Sequence, residues 1–285
     1  MTRPLAREAA SGGAAVRLIL FSKFLQGLDV PGLIAKAQEL GLEGYDLCVR
    51  PGYVVGPENL RDLPGAVAAF RRAGLDVPLI TAPTDLQSTE DPRAAAYLTA
   101  MRDAGVGLIK IGYFGFNRRR DYWAEVERIR AALAGWADLA TRAGITALYH
   151  THSGDVGQNA SALMHLIHGL DPAAVAGYLD PGHLVFCGEP FPFAAAVVAG
   201  QLRAVALKDG HRGRRHFVPA GQGDVDWPAV FDTLVERGFD GPLSVHAEYE
   251  TPPGQDFASL LPAEVAFFRD ARDRAVGRAQ QASGG

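Results

Sequence analysis

Short apolar runs alternate with longer amphipathic stretches along most of this chain. The apolar runs have the length of β-strands, and the stretches between them place apolar residues at the spacing of α-helices with one buried face. The predicted strands cover residues 16–21, 44–49, 77–81, 107–112, 146–150, 175–180, 203–208 and 242–247. The predicted helices that follow them end near residues 40, 73, 104, 143, 168, 199, 237 and 275.

Five of the predicted helices end in a glycine followed by an apolar residue. These are Gly41, Gly74, Gly105, Gly144 and Gly238. A glycine there can take the left-handed conformation that ends a helix before the next strand. The chain contains eight such units, and its composition does not change along the sequence as it would at the start of a second domain. This pattern predicts an α/β fold and a single (β/α)8 TIM barrel. An open doubly wound sheet shows the same alternation, but it predicts a glycine-rich phosphate turn after strand one, and residues 21–27 (FSKFLQG) contain none.

The chain length fits one large domain. With 285 residues, we expect the barrel to cover residues 16–276, because the βα pattern lies within this range. Residues 1–15 are rich in Ala, Gly and Arg and are predicted to be a disordered lead-in, and residues 277–285 a flexible tail.

Composition limits the possible partners and location. The formal net charge is −4, which argues against a nucleic-acid partner because such proteins usually carry a basic excess. No apolar run approaches the length of a membrane span, so no membrane association is expected. Cys48 and Cys187 are the only cysteines, which give no disulfide framework and favour a reducing cytoplasm. A homo-oligomer is possible by analogy with other barrels.

Polar side chains gather where the predicted strands end. The last strand continues as residues 243–250 (LSVHAEYE), so His246 and Glu248 lean to the same side of a period-two strand. Residues 147–152 (ALYHTH), 177–183 (GYLDPGH) and 204–209 (AVALKD) end in the same way. Barrel active sites lie at the C-terminal ends of strands. We therefore expect one site lined by Lys23, Asp46, Arg50, Thr81, Lys110, Tyr113, His150, His152, Asp180, His183, Lys208, Asp209, His246 and Glu248.

Imidazoles and carboxylates suit two kinds of chemistry. They are ligands for transition metals, and they transfer protons near neutral pH. For substrate binding we predict Lys23, Arg50, Tyr113 and Asp209. Simpler interpretations remain open: Asp180 as the cap of a turn, Lys208–Asp209 as a surface salt bridge, and Lys110 at the barrel rim. Residues 219–227 (PAGQGDVDW) can approach a ligand through their glycines or form a turn before a helix.

These motifs resemble the sugar phosphate isomerase/epimerase family, the xylose isomerase-like barrels grouped with AP endonuclease family two. The resemblance extends from Phe21 to Glu248. It rests on HTHSG at 150–154, DPGH at 180–183, LKD at 207–209, PAGQG at 219–223 and SVHAE at 244–248. It implies one divalent metal, held by a Glu, an Asp, a His and a Glu from strands five to eight. The metal would polarise a carbonyl/hydroxyl pair while an acid and a base move a proton through an enediolate-like intermediate.

The sequence departs from that pattern at three of the four ligands. His150 and His246 stand where the resemblance implies Glu, Ala206 stands where it implies His, and Asp180 alone is retained. His150, Asp180 and His246 can still form a two-His, one-carboxylate site for Mn, Zn, Co or Mg. A register slip of two in the last strand would instead place Glu248 on the metal. Proton transfer then falls to Glu248, His183, His152 or Lys208, and Lys208 would stabilise oxyanion charge.

The resemblance implies a sugar or polyol isomerase or epimerase that moves a proton next to a carbonyl with the help of a metal. A lyase, either a dehydratase or an eliminase on a keto-sugar, would use the same proton removal. A non-catalytic sugar-binding or accessory subunit is the third hypothesis, because the strand-seven ligand is lost. A DNA-repair endonuclease is excluded on charge and ligand count.

Overall fold

The predicted TIM barrel is confirmed. The structure is a computed structural model that describes residues 17–251 and 256–283. The strands are β1 (Leu18–Phe21), β2 (Gly44–Cys48), β3 (Asp76–Thr81), β4 (Leu108–Lys110), β5 (Thr146–His150), β6 (Val175–Leu179), β7 (Leu202–Leu207), β8 (Asp209–His211), β9 (His216–Val218) and β10 (Leu243–Val245). Within the described residues, eight of them form a closed parallel barrel in the order β1-β10-β7-β6-β5-β4-β3-β2, and β8 pairs with β9. The predicted lead-in, 1–15, lies outside the described residues.

Helices surround the barrel. They are α1 (Val30–Leu40), α2 (Leu63–Arg72), α3 (Pro92–Ala104), α4 (Tyr122–Ala143), α5 (Ala160–Ile167), α6 (Pro181–Cys187), α7 (Phe191–Val198), α8 (Trp227–Glu236) and α9 (Phe257–Ser283). The five predicted helix-ending glycines all have left-handed φ angles, between 60° and 79°. In the described ranges no helix by itself has both the length and the hydropathy of a bilayer span. One pair, Pro181–Cys187 with Phe191–Gln201, meets these criteria only jointly and is bent by 105°.

Two elements between β6 and α8 were not predicted. Helix α6 follows β6 directly, because the Asp180 side chain accepts the backbone N–H of His183 and Pro181 occupies the first helical position. The β8–β9 hairpin follows β7, and its register pairs Asp209 with Val218 and His211 with His216. Each of its strands has three residues, too few to show a strand pattern in the sequence.

The final helix extends beyond its predicted end near residue 275. It begins at Phe257, where Asp256 accepts the backbone N–H of Ser259 at 2.7 Å. It continues to Ser283, into the predicted flexible tail. Arg278 bonds Asp232 of α8 at 2.6 Å, so this ion pair ties the last turns to the neighbouring helix. Residues 284 and 285 lie outside the described part of the chain.

Small residues inside the barrel leave room for a large one. Ala176, Ala204 and Ala206 line the interior together with Leu79 and Leu148, and all are buried. Tyr178 fills the space that the alanines leave and is itself fully buried. Inward positions recur every second residue along each strand. The next inward positions beyond this layer are polar, and they form the floor of the barrel mouth.

Candidate active site

Asp180 is the residue around which the polar groups of the barrel mouth are arranged. It follows β6 and is 0% exposed. One oxygen, Oδ1, accepts the backbone N–H of His183 at 3.1 Å and so begins α6. The other, Oδ2, lies 3.1 Å from His150 Nε2 and 3.0 Å from Lys208 Nζ. One carboxylate therefore caps a helix and also holds two side chains from the neighbouring strands.

Lys208 links Asp180 to the last barrel strand. Its side chain is 1% exposed and turns inward on the face of β7 that carries Ala204 and Ala206. Its Nζ lies 2.8 Å from Glu248 Oε2, while Glu248 Oε1 accepts a hydrogen bond from Lys23 Nζ at 2.5 Å. The carboxylates of Asp180 and Glu248 thus share one buried ammonium.

The charges of these three groups hold one another in place. Burial by itself would raise the pKa of Asp180, but the Lys208 charge and the nearby imidazoles keep it well below its ordinary value. Burial would also raise the pKa of Glu248, but the Lys208 charge and the nearby His246 lower it. The carboxylates raise the pKa of Lys208 in spite of its burial. All three groups therefore stay ionised across the neutral range.

His183 packs beside Lys208 as a neutral imidazole. The backbone N–H of Ser153 donates to His183 Nδ1 at 3.1 Å, which assigns the proton of the neutral ring to Nε2. Burial, and then the Lys208 charge, lower the pKa of His183 well below its ordinary value. Its Nε2 lies 3.2 Å from Lys208 Nζ. Both nitrogens are donors, so together they present two N–H groups to an incoming oxygen.

Phe217 of the hairpin is a site residue that the sequence interpretation missed. Its ring centroid lies 4.5 Å from Lys208 Nζ and 4.9 Å from the His183 ring. A Cβ on Gly182 would come within 2.7 Å of the Lys208 carbonyl oxygen and 3.2 Å of the Phe217 ring, so only glycine fits there. The hairpin thus covers one side of the buried ammonium. Its three-residue strands gave no signal for this role.

A second polar network lies on the other side of the barrel floor and includes His246. The hydroxyl oxygen of Tyr178 lies 2.8 Å from His246 Nε2 and 3.2 Å from Asp46 Oδ2. Thr81 donates to Asp46 Oδ1 at 2.7 Å, and Ser244 to Oδ2 at 3.4 Å. His246 is therefore engaged with Tyr178 and Asp46 and not with Asp180. Asp46 belongs to the site, as its place at a strand end predicts, and Tyr178 belongs to it although the sequence gave it no role.

The predicted rim residues surround this buried floor. Lys23, Arg50, Tyr113, His152 and Glu248 are partly exposed. The His152 ring lies 3.9 Å from that of His183 and 4.8 Å from that of Tyr113. Burial, and then the Lys208 charge, lower the pKa of His152 to about 4. Arg50 donates from Nε to the Ala82 carbonyl at 2.9 Å, and its buried Nη2 has no hydrogen-bond partner among the described residues.

Lys110 lies on the barrel floor and not at the rim, where the sequence placed it. It is 1% exposed, and its Nζ sits 3.2 Å from the centroid of the Tyr113 ring. Its ammonium has no hydrogen-bond acceptor among the residues that the structure describes. Burial, and then the Arg50 charge, lower the pKa of Lys110 well below its ordinary value.

Replacing Lys110 by methionine is expected to stabilise the protein. A buried amine without an acceptor costs about 1–3 kcal/mol, and methionine fills nearly the same volume without that cost. Urea unfolding followed by circular dichroism should show a higher midpoint at unchanged slope. A lower midpoint would mean that the amine has a stabilising partner.

Asp209 was predicted to bind substrate, and its surroundings give it a different role. Its carboxylate is 1% exposed and accepts hydrogen bonds from five donors of its own loop. The donors are the backbone N–H groups of Gly210, Gly221, Gly223 and Val225 and the indole Nε1 of Trp227, at 2.8 to 3.3 Å. A Cβ on Gly223 would come within 2.1 Å of Asp209 Oδ1. The glycines of residues 219–227 thus allow the loop to fold around this carboxylate, which has no free acceptor for a substrate.

Replacing Asp209 by alanine is expected to loosen residues 219–227, because it leaves these donors without an acceptor. Each unsatisfied buried donor costs about 1–3 kcal/mol. Amide hydrogen exchange should show protection lost in this segment and kept in the barrel strands. Asp224→Ala, at a largely exposed carboxylate in the same loop, serves as the control. Unchanged protection in Asp209→Ala would restore Asp209 as a candidate for substrate binding.

The predicted metal ligands do not fit a divalent cation. Among the described residues, no group of three or more His, Cys, Asp or Glu side chains is placed to hold one. His150 donates through Nε2 to Asp180, so its free lone pair lies on Nδ1, on the far side of the ring. His246 is bonded to Tyr178. Ala206 offers no ligand atom, and the Lys208 ammonium occupies Asp180 Oδ2. The structure therefore does not support the predicted His150–Asp180–His246 metal site.

Acid is expected to destabilise the fold through the site imidazoles. Burial lowers the pKa of His150 to about 3, and that of His152 to about 4, against an ordinary value near 6.5. Between pH 6.5 and these values the unfolded chain binds protons that the folded protein does not. The free energy of unfolding then falls with decreasing pH, by up to about 1.4 kcal/mol per pH unit for each imidazole. The free energy of unfolding, measured by urea unfolding at several pH values in this range, should fall less steeply with decreasing pH in His152→Gln than in wild type.

Comparisons with known proteins agree with this architecture. A profile of the xylose isomerase-like TIM barrel family (AP_endonuc_2) matches residues 34–271. The 3-keto-D-glucoside 4-epimerase YcjR of E. coli superimposes with a TM-score of 0.73 at 15% identity, covering 90% of this chain and 99% of that one. At this level of identity, the likeness shows the fold alone.

Curated relatives are enzymes of two reaction types. An inosose dehydratase of Geobacillus thermodenitrificans is 29% identical over 143 residues, 44% of this chain and 48% of its own length. The chain thus matches about half the length of this dehydratase. The L-ribulose-5-phosphate 3-epimerase UlaE of Salmonella typhi is 27% identical over 216 residues, 72% of this chain and 74% of its own.

Proposed function

Because this chain belongs to the xylose isomerase-like TIM barrel family, we propose that it is an enzyme that moves a proton on the carbon next to a carbonyl of a sugar or polyol. The product would be an isomer or epimer of the substrate. The observation that carries this proposal is the paired donor site at the barrel mouth, where Lys208 Nζ and His183 Nε2 lie 3.2 Å apart. An enolate oxygen needs such donors in place before its charge develops.

The ammonium of Lys208 has one N–H to spare. Of its three donors, one is directed to Asp180 and one to Glu248. His183 cannot accept the third, because its Nε2 carries a proton when Ser153 donates to Nδ1. The remaining N–H of Lys208 and the Nε2–H of His183 can therefore bind the substrate carbonyl oxygen together.

Glu248 and His152 are the proposed proton-transfer groups. They lie at opposite ends of the contact series His152, His183, Lys208, Glu248, and both are partly exposed to the mouth. Glu248 is an ionised carboxylate and His152 a neutral imidazole at neutral pH, so each has a lone pair ready to accept a proton. One removes the proton from the substrate carbon, the electron pair moves to the carbonyl oxygen, and a proton returns to the same or the opposite face.

The rim supports a small, hydroxyl-rich substrate. Lys23, Arg50 and Tyr113 offer N–H and O–H groups there, and Nη2 of Arg50 is the clearest of them, because it has no hydrogen-bond partner in the described part of the chain. These three stay proposed substrate-binding residues. A cytoplasmic location fits two free cysteines, Cys48 and Cys187. A homo-oligomer stays a prediction.

A dehydratase is the second candidate, favoured by the likeness to inosose dehydratases. It would begin with the same proton removal. The enolate would then expel a β-hydroxyl group, which leaves as water after protonation by the site acid. No proton returns to the carbon that lost it, and the product is an enone.

Proton NMR in deuterium oxide tests the proposal and separates the two reactions. L-Ribulose, L-ribulose 5-phosphate and an inosose are incubated with the full chain. An epimerase or isomerase places deuterium on the carbon next to the carbonyl and produces a stereoisomer or positional isomer. A dehydratase releases water and gives a product that absorbs in the ultraviolet. Saturable binding of a sugar without any exchange would contradict both and favour an accessory sugar-binding subunit.

A further inference from the structure

We infer that the ammonium of Lys208 replaces the divalent cation of related barrels, so that this protein works with a cation of its own and binds no divalent metal at the barrel mouth. The catalytic role of this ammonium rests on the proposed function. The lack of metal binding is inferred from the contacts of the described residues alone.

The position of the ammonium is the first argument. Lys208 Nζ lies between carboxylates from β6 and from the end of β10, at 3.0 Å from Asp180 and 2.8 Å from Glu248. Carboxylates from the sixth and eighth barrel strands are two of the ligands that the resemblance implies for the metal. The same pair of strands here grips an ammonium that is buried to 1% exposure and held charged by its partners.

The loss of ligand atoms is the second argument. The strand-seven position is Ala206, whose methyl group is buried among Leu148, Tyr178 and other barrel-interior residues. The side chain on the same face, two residues further along β7, is Lys208 itself. Strand β7 thus lacks the metal ligand, and the residue that follows the strand supplies a cation. An ammonium held by two carboxylates needs no further ligand, whereas a divalent metal does.

The balance of charge is the third argument. Lys208 contacts the carboxylates of both Asp180 and Glu248, and Lys23 contacts Glu248 as well. Two ammonium groups therefore already balance these two carboxylates. A divalent ion would leave the buried cluster with two uncompensated positive charges, beside an ammonium that cannot move to water without giving up both partners.

The consequence for the reaction is specific. An ammonium donates hydrogen bonds to an enolate oxygen, but it cannot bind two adjacent oxygens of a substrate in a chelate. We therefore expect chelators to leave the reaction rate unchanged. We also expect the reaction rate to require the carbonyl oxygen of the substrate, but not a hydroxyl group on the neighbouring carbon, because the ammonium does not bind that second oxygen.

Metal binding by the purified full chain is the direct test. Protein from manganese-, cobalt- or zinc-supplemented growth should contain well under one ion per chain by plasma mass spectrometry. Titration with Co²⁺ should give no d–d absorption band and no rise in melting temperature. Stoichiometric metal, or a melting temperature lowered by EDTA, would overturn the inference.

A designed variant is expected to gain the metal binding that wild type lacks. Ala206→His together with Lys208→Ala restores a ligand on β7 and removes the ammonium. It should gain Co²⁺ affinity by about 10²-fold over wild type and show the band. Ala206→His alone keeps the ammonium and should not gain Co²⁺ affinity. A Co²⁺ affinity of the single variant equal to that of the double variant would show that Lys208 does not block the metal.

An NMR measurement keeps the inference testable if the variants do not fold. Wild-type protein labelled with ¹⁵N-lysine should show a slowly exchanging ammonium signal for Lys208, assigned by its absence in Lys208→Met or by its contacts with Phe217. Excess Co²⁺, which is paramagnetic, should leave this signal unbroadened. Selective broadening would place a metal beside Lys208 and overturn the inference.

The outcomes separate this inference from the proposed function. If no metal binds and no carbon-bound hydrogen exchanges with solvent, the ammonium has replaced the metal but the proposed reaction is wrong. If hydrogen exchanges only when Co²⁺ or Mn²⁺ is added, the proposed reaction stands and the inference about Lys208 fails.

Discussion

Lys208→Met is expected to lower the free energy of unfolding by about 3–5 kcal/mol, because it leaves two carboxylates at the barrel floor without their shared cation. Asp180 is fully buried, and Glu248 is only 18% exposed on its side chain. Water cannot replace the lost ammonium at Asp180. Urea unfolding measures the loss, and Lys110→Met is the matched control, since it removes a buried lysine of the same floor whose Nζ has no hydrogen-bond acceptor among the described residues. The two substitutions should act in opposite directions.

The destabilisation of Lys208→Met should shrink as the pH falls. In wild type the Lys208 charge holds the pKa of Asp180 below its ordinary value. Without Lys208, burial raises that pKa above the unfolded value of about 3.9. The folded variant then takes up a proton before the unfolded chain does, so it gains stability relative to wild type between neutral pH and about pH 4. Equal pH profiles for the two proteins would show that the carboxylate is already solvated.

Glu248→Gln is expected to reduce the rate of carbon-bound hydrogen exchange by about 10²–10⁴-fold, with little change in KM. Glutamine keeps the size of the side chain and an oxygen for Lys208, but it cannot accept a proton from carbon. Exchange is followed by NMR in deuterium oxide with the substrate that the panel identifies. Glu250→Gln is the control, because Glu250 lies two residues further along and is exposed.

Two results would separate the roles of Glu248. A loss of rate in Glu248→Gln with full retention of folding supports proton transfer by this carboxylate. Full activity of Glu248→Gln would move the proton transfer to His152 or His183 and leave Glu248 as a partner for Lys208 and Lys23. The pKa of Glu248 lies well below its ordinary value, so its protonation does not cause a loss of activity near neutral pH. His152, with its pKa lowered to about 4, sets the acid limb if it is a base.

The barrel could be predicted from the amino-acid pattern alone. Strand and helix periods, together with glycines at helix ends such as Gly41 and Gly105, are local properties, and local backbone preferences survive in the fold. The sequence also located the mouth, because polar residues that end apolar strands have nowhere else to converge in a closed parallel barrel. Asp180, Lys208 and Glu248 were found in this way, and they do meet.

The partner of each of these side chains became visible only in the folded chain. Period two places His150 and His246 on the inner face, but it cannot say that one bonds Asp180 and the other Tyr178. Spacing also cannot show that Lys208 reaches the gap between two carboxylates, or that Asp209 is saturated by its own loop. The physical reason is that side-chain partners across a barrel are far apart in sequence. Their choice depends on distances of about 1 Å and on the sum of several buried charges, which no local pattern encodes.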